Sequence, residues 1–139
     1  MVFKSIFHNE TSENTYLVYD EETKNGIIID PGCKMEKIEN LIAENGVSVK
    51  YILLTHCHYD HIESLIPLKE KTDAKLVTGD NGSKNVGDIK INLSTYGLGY
   101  PISGIESDVI LSDGETLTLD GLNIKCIYTP GHTDCCVCY

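Results

Sequence analysis

The sequence contains no arginine, and all eleven of its basic residues are lysine. Its 21 acidic residues outnumber them and give a net charge of −10 at pH 7. Proteins that bind nucleic acid usually present clustered lysine and arginine to the phosphates. We therefore expect no nucleic-acid partner.

Long hydrophobic runs are also missing from the sequence. No apolar stretch is long enough to span a bilayer, and no basic start followed by an apolar run opens the chain. We therefore expect no membrane association and a cytoplasmic location. At 139 residues and 41% hydrophobic content, the chain is long enough for one domain with an apolar core.

Three of the five histidines fall in one short segment after the apolar residues 51–54, namely Thr55-His56-Cys57-His58-Tyr59-Asp60-His61. Imidazole and carboxylate groups are ligands that zinc and related metals prefer. If the backbone is still extended there, His56 and His58 point to one side and can share an ion. Asp60 and His61 are adjacent, so their joint use needs a bend that turns them toward a second ion. Incidental histidines in a polar loop are the simpler alternative, but so dense a cluster favours a metal site.

Paired cysteine motifs are absent, although the chain has six cysteines. No Cys-x-x-Cys pair occurs, and the cluster of Cys135, Cys136 and Cys138 has no partner cluster. In a reducing compartment thiols behave as small buried hydrophobic groups, so we expect free thiols. Cys57 should point away from an ion held by its two histidine neighbours, and a sulfur ligand there is the alternative.

Combined with two other segments, the histidine motif resembles the metallo-β-lactamase-fold superfamily, and within it the glyoxalase II-like (hydroxyacylglutathione hydrolase-like) enzymes. The upstream segment is Gly26-Ile27-Ile28-Ile29-Asp30-Pro31-Gly32, and the downstream segment is Thr129-Pro130-Gly131-His132-Thr133. The resemblance runs along the whole chain. It implies an α/β (α+β) fold that corresponds to the N-terminal portion of an αββα sandwich.

The resemblance also implies a ligand set. His56, His58 and His132 would hold one ion, while Asp60 and His61 would hold a second. One or two zinc ions are expected, with iron or manganese possible. Asp60 would also act as a catalytic residue that orients the nucleophile. Asp30 could orient a ligand histidine by accepting its second N–H, or it could be a turn residue that bonds its own backbone.

The function implied by the resemblance is metal-dependent hydrolysis by a metal-bound hydroxide, with a thioester as the expected substrate. Two alternatives remain open. One is an oxidoreductase similar to the mononuclear iron sulfur dioxygenases, and the other is a fragment that binds metal without catalysis.

The sequence departs from the family pattern after the downstream segment. Members of the family have a further bridging aspartate and a last histidine there, and neither is present in this chain. We therefore expect residues 1–139 to be a single domain that is incomplete at the C-terminus, as in a fragment of a longer hydrolase. A homo-oligomer whose partner covers the open sheet and a degenerate, weakly metal-binding protein are the alternatives.

Hydrophobic periodicity and turn residues predict the elements. Strands are expected at residues 2–7, 14–20, 27–30, 51–55 and 75–78, with a hairpin from 116–119 and 122–129. Helices are expected at 35–45, ended by Gly46, and at about 63–71, bent near Pro67. Residues 79–104 are the least regular part. Tyr96, Leu98 and Tyr100 in that part are candidate substrate contacts, although loop aromatics ordinarily pack the loop down.

Overall fold

Ten strands and six helices make up the chain, and the computed structural model describes residues 1–139. The strands are β1 (Val2–His8), β2 (Glu13–Tyr19), β3 (Asn25–Ile29), β4 (Ser48–Leu53), β5 (Lys75–Gly79), β6 (Val109–Leu111), β7 (Thr116–Leu119), β8 (Leu122–Lys125), β9 (Ile127–Tyr128) and β10 (Val137–Cys138). The helices are α1 (Met35–Asn45), α2 (Tyr59–Ile62), α3 (Leu65–Thr72), α4 (Gly82–Asn85), α5 (Ile89–Asn92) and α6 (Ser94–Gly97).

Six of the strands form one mixed sheet in the order β1-β2-β3-β4-β5-β6. β1, β2 and β3 pair antiparallel, whereas β3, β4, β5 and β6 run parallel. Parallel neighbours need a crossover connection, and helices α1 and α3 lie in the connections from β3 to β4 and from β4 to β5. The carboxyl ends of these strands meet at one edge of the sheet, where ligands bind in folds of this kind. The structure confirms the predicted α/β class.

The two faces of the sheet carry separate apolar clusters. Adjacent residues of a strand point to opposite faces, so Ile52 of β4 joins the larger cluster while Leu53 joins the smaller one. The larger cluster also contains Ile38 of α1 and Leu68 of α3. The smaller cluster is covered by the β7–β8 hairpin, through residues such as Leu122. The sheet is therefore the central layer of the chain.

Helix α1 follows the prediction in both its bounds and its end. Gly46 adopts a left-handed conformation with φ of 64°, and its N–H bonds to the Ala43 carbonyl at 3.2 Å. Val47 N–H then bonds to the Ile42 carbonyl at 3.1 Å, which completes the C-terminal cap. Glycine adopts this conformation without steric cost, which explains why the helix ends there.

Two predicted elements were placed wrongly. The strand at 51–55 begins earlier and ends at Leu53, because the chain turns into the histidine segment there. The helix predicted at 63–71 is α3, which begins at Leu65 and has no break at Pro67, and Ser64 separates it from the short helix α2 that precedes it. Ser64 bonds to the Pro31 and Cys33 carbonyls at 2.9 and 2.6 Å. Pro67 lies in the first turn of α3, where a missing N–H costs no helical hydrogen bond.

Residues 79–104 contain the three short helices α4, α5 and α6 and are ordered by buried polar side chains. Asn92 is fully buried and donates to the carbonyls of Val86 and Ile102, both at 2.8 Å. The predicted hairpin strand at 122–129 is divided into β8 and β9, and β9 pairs with β10, which was not predicted. No helix of the structure combines the length and the apolar character needed to cross a membrane.

Candidate metal centre

Three segments that are distant in the sequence meet at the carboxyl edge of the sheet. Asp30 follows β3, the segment from His56 to His61 follows β4, and His132 lies on the connection from β9 to β10. The main chain ties these segments together. Asp30 N–H bonds to the Leu53 carbonyl and Val137 N–H bonds to the Thr55 carbonyl, both at 2.9 Å. The topology therefore brings the predicted site residues into one cluster.

The first ligand group consists of His56, His58 and His132. One ligand atom from each lies within 4.8 Å of the others. Nδ1 of His58 and Nε2 of His132 are 3.0 Å apart, and their rings are perpendicular. Three imidazole nitrogens that converge in this way match the protein ligand set of a catalytic zinc site with an open fourth position.

The second ligand group consists of His56, Asp60 and His61, whose ligand atoms also lie within 4.8 Å of one another. The bend that was expected at Asp60 and His61 is helix α2, which begins at Tyr59. The rings of His56 and His61 are 4.1 Å apart, so His56 belongs to both groups. The two groups are therefore adjacent and share one imidazole.

The electrostatics of the cluster keep two imidazoles neutral. Burial, together with the neighbouring histidines, lowers the pKa of His56 to about 3. The pKa of His58 is also lowered, by burial and by the neighbouring His132. Neutral imidazole is the form that binds metal ions. The donor set therefore suits a metal ion, and its composition of imidazole and carboxylate does not select among zinc, iron and manganese.

Asp30 contacts the ligand cluster rather than its own turn. Its Oδ1 accepts the Thr55 N–H at 2.7 Å, and its Oδ2 accepts the Thr55 hydroxyl at 2.6 Å. The same Oδ2 lies 3.0 Å from Nδ1 of His61, although the direction of the ring N–H does not complete a hydrogen bond. Burial lowers the pKa of His61, but Asp30 and the other nearby carboxylates outweigh burial and raise it. Of the two interpretations of Asp30, the structure favours the one that orients a ligand histidine.

Asp134 fixes the loop that carries His132. Its Oδ1 accepts the Asn85 amide at 2.7 Å, and its main-chain oxygen accepts the Asn81 amide at 3.0 Å and the Tyr128 hydroxyl at 2.8 Å. The sequence analysis did not assign a role to Asp134, because its partners in α4 and β9 become neighbours only in the folded chain. Its position two residues after His132 is the one signal in the sequence.

Glu13 is a second residue that the sequence analysis missed. It is 4% exposed, at the start of β2, and neither of its carboxylate oxygens has a hydrogen-bond partner. Burial, with the charges of Asp30 and Asp60, raises its pKa to about 8 against the opposing effect of His61. The alternating pattern of β2 places Glu13 on the buried side with Thr15 and Leu17. That alternation could have identified it, but the predicted strand began one residue later.

The remaining candidates lie around this centre in different ways. All six thiols are free, and Cys57 is buried and donates to the Gly82 carbonyl at 3.4 Å. Leu98 packs against the core, whereas Tyr96 is 88% and Tyr100 is 49% exposed. A side-chain carbon at Gly97 would overlap the ring of Tyr59, so α6 lies against the histidine segment. Two of the three candidate substrate contacts are thus exposed, on a segment next to the ligands.

Comparison with known families agrees with this architecture. The family model described as "Metallo-beta-lactamase superfamily" matches residues 8–139 of the chain. The chain belongs to the metallo-beta-lactamase superfamily. The recognised family and the predicted fold are therefore both confirmed.

Two relatives of the chain are hydrolases by name. The "Probable polyketide biosynthesis zinc-dependent hydrolase BaeB" of Bacillus velezensis is 29% identical over 133 residues, which are 96% of this chain and 52% of that protein. The "Hydroxyacylglutathione hydrolase GloC" of Haemophilus influenzae is 31% identical over 122 residues, 87% of this chain and 57% of that protein. The chain thus spans about half the length of these relatives.

Solved structures of the superfamily superpose on the chain along almost its whole length. The BLEG-1 B3 metallo-beta-lactamase has a TM-score of 0.86 at 26% identity, covering 98% of this chain and 65% of that one. ETHE1 from Myxococcus xanthus has a TM-score of 0.75 at 28% identity, covering 99% of this chain and 52% of that one. The sheet and its carboxyl edge are therefore those of a metallo-beta-lactamase fold.

Proposed function

We propose that the chain carries the metal-binding half of a metal-dependent hydrolase that acts on a thioester, similar to a hydroxyacylglutathione. The observation that carries the proposal is the pair of adjacent ligand groups that share His56. The name of the GloC relative supports a thioester of this type, and the name of the BaeB relative supports zinc. The substrate is thus proposed to be a small molecule.

The roles of the residues follow from their contacts. His56, His58 and His132 would hold one ion, and Asp60 and His61, with His56 beside them, would hold a second. A bound metal ion would supply Lewis-acid activation of water and stabilisation of negative charge. Asp60 is half-buried in the first turn of α2, and its carboxylate would also accept a proton from the attacking water or orient it. Asp30 accepts two hydrogen bonds from Thr55 and lies beside His61, and so it would keep the ligand segment in place.

Exposed aromatic groups beside the ligands are the proposed contacts for the acyl part of the substrate. Tyr96 and Tyr100 lie on the segment that packs on Tyr59, and both rings are available to a ligand. The net charge of −10 is unfavourable for the association of a highly anionic substrate, so the acyl part is proposed to be neutral.

Hydrolysis of an S-hydroxyacylglutathione tests the proposal. The zinc-loaded chain is expected to release the thiol, and a chelator or the substitution His58→Ala is expected to abolish that release. His8→Ala is the matched control, because His8 bonds to Thr11 outside the ligand groups. Oxygen uptake with a persulfide by the iron-loaded chain, without thioester hydrolysis, would instead support the oxidoreductase alternative.

A further inference from the structure

Glu13 is a buried acid without a partner. Its side chain is 4% exposed, and no group donates a hydrogen bond to either carboxylate oxygen. The nearby Thr15 hydroxyl cannot serve, because its proton is donated to the Asp30 carbonyl at 2.7 Å. Burying a carboxyl group without a donor is costly, and buried polar atoms in proteins are nearly always paired. The position of Glu13 therefore needs a cause beyond the packing of β2.

The carboxyl group of Glu13 lies directly behind the segment that carries Asp60 and His61. A side-chain carbon at Gly32 would lie 2.8 Å from Oε2 of Glu13 and would overlap the main-chain oxygen of Asp60. Gly32, which has no side chain, is thus the residue that lies between this carboxylate and the main chain of Asp60. Glu13 approaches the second ligand group from the protein side, opposite to solvent.

The charges around Glu13 are mostly negative. Asp30 and Asp60 are its acidic neighbours, and His61 is the one nearby group that can be positive. No lysine forms an ion pair with these carboxylates, since the lysine ion pairs of the chain are those of Lys69 with Asp108 and Lys71 with Glu39. With Glu13 ionised, three carboxylates face one imidazole, which leaves an excess of negative charge in a buried place. A cation held by the ligands would balance it.

We propose that Glu13 is a positioning residue for the ion held by Asp60 and His61, and that its buried carboxylate balances the charge of that ion from behind the ligands. The inference rests on the metal centre of the proposed function. Partners outside the direct ligands commonly tune metal affinity in this way. The metal-free chain bears the cost of the unpaired acid, and the bound ion relieves it, which is the behaviour expected of a functional site.

Zinc affinity measured in competition with a chromophoric chelator tests the inference. Glu13→Gln keeps the shape of the side chain and removes the carboxyl group that can ionise, and Glu10→Gln makes the same change at an exposed position nearby. Asp60→Asn and His132→Ala identify which ion depends on which ligand group. Glu13→Gln is expected to lower, by about 10-fold or more, the affinity for the zinc ion that Asp60→Asn also binds more weakly. Glu10→Gln is expected to leave that affinity unchanged.

Thermal denaturation of the metal-free proteins separates this role from packing. Glu13→Gln is expected to melt no lower than the wild type without metal, because it removes an unpaired buried acid. Zinc affinity equal to that of Glu10→Gln, or a lower melting temperature without metal, would overturn the inference. If the wild type binds only one zinc ion, Glu13→Gln must still lower the affinity for that ion. A wild-type chain that binds no zinc would instead contradict the metal centre itself.

Discussion

At the residue scale, the candidate metal centre depends on a close approach between Gly32 and the ligand segment. Gly32 follows Asp30 by two residues, and its N–H bonds to the Asp30 carbonyl at 2.8 Å in a tight turn. The main-chain oxygen of Asp60 lies where a side chain at Gly32 would begin. The absence of a side chain there is what allows α2 to lie against the end of β3.

Gly32→Ala should therefore destabilise the chain. The added carbon meets a main-chain atom, which cannot rotate away, so we expect a loss of about 2 kcal/mol or more in the free energy of unfolding. Gly131→Ala is the matched control, because no atom lies within 4 Å of a side-chain carbon at that position. Chemical denaturation of the two metal-free variants measures the difference. Equal stability would show that α2 does not pack on Gly32 as described.

At the element scale, the metal centre joins parts of the chain that differ in how well the sequence predicts them. The segment from His56 to His61 is local, so its spacing alone indicated ligands after a strand. Glu13 is brought to Asp60 by the pairing of β2 with β3, and pairing between distant strands has no local signature. The short strands β9 and β10 were likewise missed, because two-residue strands have no periodicity to detect.

Substitutions of Asp134 test how the loop that carries His132 is anchored to α4. Asp134→Ala leaves the buried Asn85 amide without its acceptor, so we expect a loss of about 1 to 3 kcal/mol in stability. Asp134→Asn retains an acceptor oxygen in the same place and is expected to stay near the wild type. Thermal denaturation compares the two variants. If both variants melt together, the contact with α4 contributes nothing to the anchoring of the loop.

At the scale of the whole molecule, the two faces of the sheet are covered unequally. Helices α1 and α3 pack on one face, while the β7–β8 hairpin covers part of the other. Large hydrophobic side chains are exposed on edge strands, including Phe3 of β1 and Ile110 of β6. The chain spans about half the length of the relatives named above. The fold and the candidate ligands could be predicted because strand periodicity and a dense histidine motif are both present in this chain.

The central claim is that His56 belongs to two adjacent metal-binding groups, and metal analysis of protein purified without added metal tests it most directly. The wild type and His8→Ala are expected to carry the same amount of metal. His56→Ala should lose nearly all of it, because both groups use that imidazole, and His132→Ala should lose the ion of the first group alone. Metal content in His56→Ala and His132→Ala equal to that of the wild type would contradict the claim.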